Sequence, residues 1–214
     1  MRGIDISVHN HSRYSYNGGI LPWDKLKSAG IDFVIIRTGA GLSIADETFK
    51  QDVDDAHSVG MLVGAYHYSY ALTAAAAIQE AETCKRLVDG VFLDMPVFFD
   101  MEDADSYKER HGFGFNKRNI TNICKSWLKS IKPLNSGVYA SLSWFDDYID
   151  WKTLVEQFQI PIWNAQYNKY DDFQGYMWQF TDSLRIDGQL WDGNILYDDV
   201  HTAGLNPYGV FVES

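Results

Sequence analysis

The stretch Pro96–Asp105, PVFFDMEDAD, runs an apolar segment straight into two acids, Asp100 and Glu102, spaced by one residue. A short apolar run of this kind reads as a strand buried on both faces, as in a parallel sheet. Side chains at i and i+2 of a strand share a face, so both carboxylates point the same way, about 6.5–7 Å apart along the chain. Like charges that close in a poorly solvated place disfavour each other, which raises at least one pKa.

On either side of this stretch, apolar, β-branched and aromatic runs alternate with segments of helical period. GIDIS precedes PWDKLKSAG, IDFVIIRTG precedes DETFKQDVDDAHSVG, and LVGAYHYSYA precedes AAAAIQEAETCKRLVDG. After MPVFFDME come NKRNITNICKSWLKSI, SGVYASLSW and a weak helical WKTLVEQF; then PIWNAQY, YMWQFTD and GNILYDD follow with little or no helix between them. Strands alternating with helices predict a parallel sheet, and eight strand candidates predict a closed, TIM-like (β/α) barrel. At 214 residues the chain sits near the lower limit of about 200 for that fold, which fits the missing late helices and predicts an irregular barrel. A doubly wound open sheet is the alternative, but TGAG after the second strand is a lone glycine pair, not a phosphate-binding fingerprint.

The composition is 46% hydrophobic and 15% aromatic, enough for one substantial core, and residues 1–214 read as a single domain. A net charge of -11 argues against a nucleic-acid or anionic-membrane partner, each of which wants a basic face. No run of about 18 uncharged apolar residues is present to insert in a membrane. The opening MRGIDIS has no basic region followed by an apolar stretch, so no secretory signal is expected, and the protein would stay cytosolic until released or exported by another route. Cys84 and Cys124 fall in helical segments and are expected to be free structural thiols.

In a barrel of this type the active site lies at the carboxyl ends of the strands. Asp5 in the first strand, Asp100 and Glu102 at the end of the fourth, and Asp192, just before or at the opening of the last, all qualify. Closure makes Asp5 and Asp192 neighbours, across from the fourth-strand pair. A single acid at a strand end is as readily a loop cap or ion-pair partner. Two acids on one apolar face are costly without a purpose. Two carboxyls with separated pKa values are the equipment for glycoside hydrolysis, one protonated as general acid and one ionised to stabilise positive charge. Tyr66, Tyr68, Tyr139, Trp163, Tyr167 and Trp178 recur near strand ends, where rings with a polar edge suit sugar faces and equally suit barrel packing. His9 and His11 form a His-x-His at the end of strand one, the pattern of a metal-dependent amidohydrolase barrel, but His57, His67, His111 and His201 do not complete the ligand set such a barrel needs. A chitinase-like glycosidase would also end its fourth strand in Asp-x-Glu, with a further Asp where this chain has Phe98.

Together GIDIS with HN, GAYHYS, VFFDME, YASLSW, IWNAQY and WQF with WDGN resemble, in order and over essentially the whole chain, the family 25 glycoside hydrolases, the lysozymes or N-acetylmuramidases of phage endolysins and of bacterial and fungal secretions. The resemblance implies an irregular α/β barrel of eight strands and about five helices, no cofactor, and cleavage of the β-1,4 bond between N-acetylmuramic acid and N-acetylglucosamine in cell-wall peptidoglycan. It gives Glu102 the general-acid role, Asp100 a stabilising or positioning role, and Asp5 and Asp192 supporting roles. The aromatic set and Gln179 become substrate-binding residues. No wall-binding repeats follow the barrel within these residues, so either the chain is expected to be a catalytic domain taken alone or the barrel binds the wall unaided.

Overall fold

A computed structural model describes residues 1–197. The chain begins with β1 (Arg2–Ile6) and the single turn α1 (Val8–His11), passes a 3₁₀ segment at Ser12–Asn17, and forms α2 (Trp23–Ser28). Next come β2 (Phe33–Ala40), the two-residue β3 (Ile44–Ala45), α3 (Phe49–Ser58), β4 (Leu62–Tyr68) and α4 (Ala74–Leu87). β5 (Val97–Asp100) leads through α5 (Tyr107–Arg110) to α6 (Lys117–Ser130) and β6 (Ser136–Ser141). The last elements are α7 (Leu142–Asp147), α8 (Trp151–Phe158), β7 (Ile162–Ala165), β8 (Met177–Ile186) and β9 (Gln189–Leu196).

Hydrogen bonding runs in the order β1-β9-β8-β7-β6-β5-β4-β2-β3, and a further β1–β2 pairing closes the sheet into an eight-stranded barrel with β3 at its rim. Inward positions of alternate residues form one apolar core of Phe33, Ile35, Phe98, Tyr139, Trp163, Met177 and Leu196. The outward positions, among them Ile4, Val34, Val63 and Phe99, pack beneath the helices. Phe99 shows how the inward set is fixed. Its ring stacks on Trp127 of α6 at 4.4 Å and 16°, and Trp127 stacks in turn on His67 of β4. With Phe99 held outward, Phe98 and Asp100 must face inward. The facing residue on β6 is Gly137, where a Cβ would come within 2.8 Å of the Phe98 ring.

The eight expected barrel strands are all present, with three corrections. The barrel is mixed, not wholly parallel: β9 runs antiparallel to both β1 and β8. β9 also starts earlier than the GNILYDD run suggested, because β8 and β9 form a hairpin closed by Asp187 and Gly188, both at positive φ (50° and 74°). That Asp-Gly pair is the preferred two-residue turn between twisted strands. Finally, the described residues contain eight α-helical segments where about five were expected; α1 and α5 are single turns of four residues that sequence periodicity cannot reveal.

Candidate active site

The acids meet at the end of the barrel where the seven parallel strands finish. Asp5 and Asp192 face each other across the β1–β9 ladder, so Asp192 lies inside β9 rather than at its opening. Because β9 runs the other way, its early residues reach the mouth. Asp100 ends β5 at 3% exposure, and Glu102 follows it, half-buried, at the lip. All four expected acids therefore converge on one opening.

Asp5 is held by two amides. Its Oδ2 accepts from Gln179 Nε2 at 2.8 Å and from Asn194 Nδ2 at 2.7 Å. Asn194 Oδ1 accepts from the Trp163 indole at 2.9 Å, and since an indole N–H only donates, the orientation of the amide is fixed toward Asp5. Gln179 Oε1 accepts from both Tyr139 and Tyr167, at 2.9 and 3.1 Å. Sequence reasoning missed Asn194, although it stands two residues after Asp192 on the same strand face, the spacing that drew attention to Asp100 and Glu102. It also missed Arg37 and Lys108. Arg37, inward on β2, pairs with Asp46 at 3.0 Å. Lys108 of α5 is fully buried.

Among the described residues no side-chain amide holds Asp100 or Glu102 in this way. Asp100 Oδ1 is buried without a hydrogen-bond partner among the described residues. Burial, then the Glu102 charge, push the Asp100 carboxyl well above the ordinary range, while Lys108 pulls it back. Glu102 is pushed from 4.5 up to about 7, first by burial and then by Asp105, Asp103 and Asp192, with Lys108 opposing. Burial and Asp192 raise Asp5, its two amides opposing; burial and Asp182 raise Asp192 to about 6. The opening thus holds protons near neutrality on a half-exposed carboxyl.

A stability prediction follows from Glu102. Its folded pKa lies above its unfolded one, so the fold keeps the proton more tightly; that contribution is complete below about pH 4.5 and is lost as pH rises through about 7. Glu102→Gln stays neutral throughout. Its melting temperature should exceed the wild-type value at pH 8, by the equivalent of about 2–3 kcal/mol, and match it at pH 4. Equal melting at pH 8 would show that the buried carboxylate carries no strain.

The aromatic expectations divide. Tyr66 and Tyr68 are half-buried on the inward face of β4, Tyr139 is buried with its hydroxyl donated to Gln179, and Tyr167 is 58% exposed on the loop after β7. Trp163 does not reach the mouth: at 1% exposure it packs against Phe98, Tyr139 and Tyr66 in the barrel interior. Trp178 also turns away from the barrel interior. It alternates with Met177 and Gln179, stands on the outer face of β8, packs against Phe180 and donates to Gln166 O. Gln179 is occupied at both ends and orients Asp5.

His11 is tied into the frame, with one ring nitrogen 2.6 Å from Gly19 O and the other 2.9 Å from the Asp52 carboxylate, while His9 is exposed. His201 lies outside the described residues. Cys84 and Cys124 are buried free thiols, each pushed up to about 12 by burial. Among the described residues no helix is long and apolar enough to cross a membrane.

The chain is 27% identical over 193 residues to the autolytic lysozyme of Clostridium acetobutylicum, covering 88% of this chain and 52% of that protein. It is 33% identical over 203 residues to lysozyme M1 of Streptomyces globisporus, covering 90% of this chain and 65% of the relative. The chain therefore spans between half and two thirds of the length of these relatives. The fold matches that of a family 25 glycosyl hydrolase from Bacillus anthracis with a TM-score of 0.73 at 20% identity, over 98% of this chain and 94% of that one. The model of the glycosyl hydrolases family 25 matches residues 4–189, from within β1 to the first residue of β9, so the chain belongs to that family.

Proposed function

We propose that the barrel is a catalytic unit that hydrolyses the β-1,4 bond between N-acetylmuramic acid and N-acetylglucosamine in bacterial peptidoglycan. The observation that carries this reading is the unequal acid pair: Glu102, half-buried and able to hold a proton near pH 7, beside Asp100, buried with an oxygen that has no partner among the described residues. A buried acceptor without a donor costs about 1–3 kcal/mol, a cost retained where a site needs the free lone pair. Glu102 protonates the leaving oxygen, and Asp100 stabilises the positive charge that develops on the sugar ring. Asp5, oriented by Gln179 and Asn194, and Asp192 add negative potential at the same opening. Tyr66, Tyr68, Tyr139 and Tyr167 supply ring edges and hydroxyls around it. The names of the two relatives, both lysozymes, support a peptidoglycan substrate.

Digestion of purified peptidoglycan tests this directly. New reducing ends are expected on N-acetylmuramic acid, with no free amino groups released from the peptides and no loss of activity in chelator; plain chitin, which lacks the lactyl group, should be cut poorly. Reducing ends on N-acetylglucosamine would make the protein a glucosaminidase. Chelator-sensitive release of amines would replace this reading by a metal-dependent amidase.

A further inference from the structure

Lys108 is the least expected side chain near the opening. Lysine is almost never fully buried unless its charge is answered, yet Lys108 is 0% exposed. Its Nζ donates to two main-chain carbonyls, Ser69 O and Glu102 O, each at 2.5 Å. Carbonyls accept its protons but do not cancel its charge.

The chain is built to put it there. Directly after β5, the Asp103 carboxylate accepts from the main-chain N–H groups of Lys108 and Glu109, at 2.7 and 3.0 Å. Ser106 takes a left-handed conformation at φ 56° to start the turn. The segment that follows the acid pair is thereby folded back beneath it. Around the ammonium stand Asp100 from β5, Glu102 and Asp103 from the loop, Glu80 from α4, the Tyr68 ring of β4 at 5.8 Å, and the Cys124 thiol of α6. The other cation facing Asp100 is Arg37, already paired with Asp46.

We infer that Lys108 is a positioning residue for the acid pair: it pins the Glu102 main chain and supplies the buried positive charge that lets Asp100 and Glu102 hold one proton between them rather than two. Buried acids without a cation turn neutral, and a pair with both carboxyls protonated has no negative charge of its own to offer a developing cation. A neighbouring positive charge favours the ionised carboxyl, and Lys108 lowers the pKa of both Asp100 and Glu102 against the effect of burial. The role of the charge rests on the glycosidase reading above, whereas the titration it predicts does not.

The test compares Lys108→Gln, which keeps N–H donors and loses the charge, with Lys108→Arg, which keeps the charge. In the substrate-free protein, carboxyl ¹³C titration should show the midpoints of the pair about one pH unit higher in Lys108→Gln and little changed in Lys108→Arg. Both limbs of the kcat/KM profile on peptidoglycan should move up by the same amount. A folded Lys108→Gln protein with unmoved midpoints and limbs overturns the inference, since a strut would lower activity at every pH alike. Should Lys108→Gln fail to fold, Lys108→Arg decides: unmoved midpoints support the inference, and midpoints displaced with the charge retained overturn it. A wild-type protein that leaves peptidoglycan uncut, while the Lys108→Gln midpoints shift, defeats the glycosidase reading alone.

Discussion

Glu102→Gln is expected to lower kcat on peptidoglycan by about 10²–10⁴-fold while leaving the fold intact. The amide fills the space of the carboxyl and can still accept and donate hydrogen bonds, but it cannot give a proton to the leaving oxygen. Glu102 is suited to that step by its surroundings. It is half-buried at the lip, so a substrate can reach it, and burial with Asp105, Asp103 and Asp192 nearby keeps it protonated to about pH 7. An exposed glutamate would have released its proton near pH 4.3 and had little to give. Turnover measured by new reducing ends, with circular dichroism to confirm folding, checks the result. Activity close to wild type would move the acid role to another of the four carboxyls.

The parts of this site that were legible in the sequence share one property: they follow from strand period and barrel closure. Asp100 and Glu102 could be put on one face from their spacing, and Asp5 beside Asp192 from the adjacency of first and last strands, which the register confirms. The direction of β9 was lost because the Asp187-Gly188 turn sits between polar, half-exposed stretches where the alternation is weak. Lys108 was invisible for a different reason. A lysine on a four-residue helix reads as surface, and the contacts that hold it inward, Asp103 on its main chain and the Ser69 and Glu102 carbonyls on its ammonium, are not visible in the sequence. Trp163 and Trp178 were misplaced because an aromatic near a strand end serves packing as readily as binding; alternation relative to Met177 and Gln179 would have turned Trp178 outward, and a neighbouring Asn194 claims the Trp163 indole.

Asp100→Asn is expected to reduce kcat on the order of 10²–10³-fold, the loss seen when a preorganised electrostatic partner of the transition state is removed. Asp100 is as buried as a core residue and close in shape to asparagine, so the substitution changes charge more than volume. In fact the neutral amide should fold at least as well above pH 7, because burial and the Glu102 charge both disfavour the carboxylate. The informative quantity is the pH profile of what activity remains. In the wild type the second proton leaves the pair against the negative charge created by the first, so the base limb is displaced upward. With a neutral group at this position that repulsion is gone, and the base limb should fall to lower pH. Lys108 would then oppose a single carboxylate, lowering it further. A residually active Asp100→Asn enzyme whose base limb stays at the wild-type pH would mean that the two acids do not share a titration, and the assignment of one proton to the pair would fail.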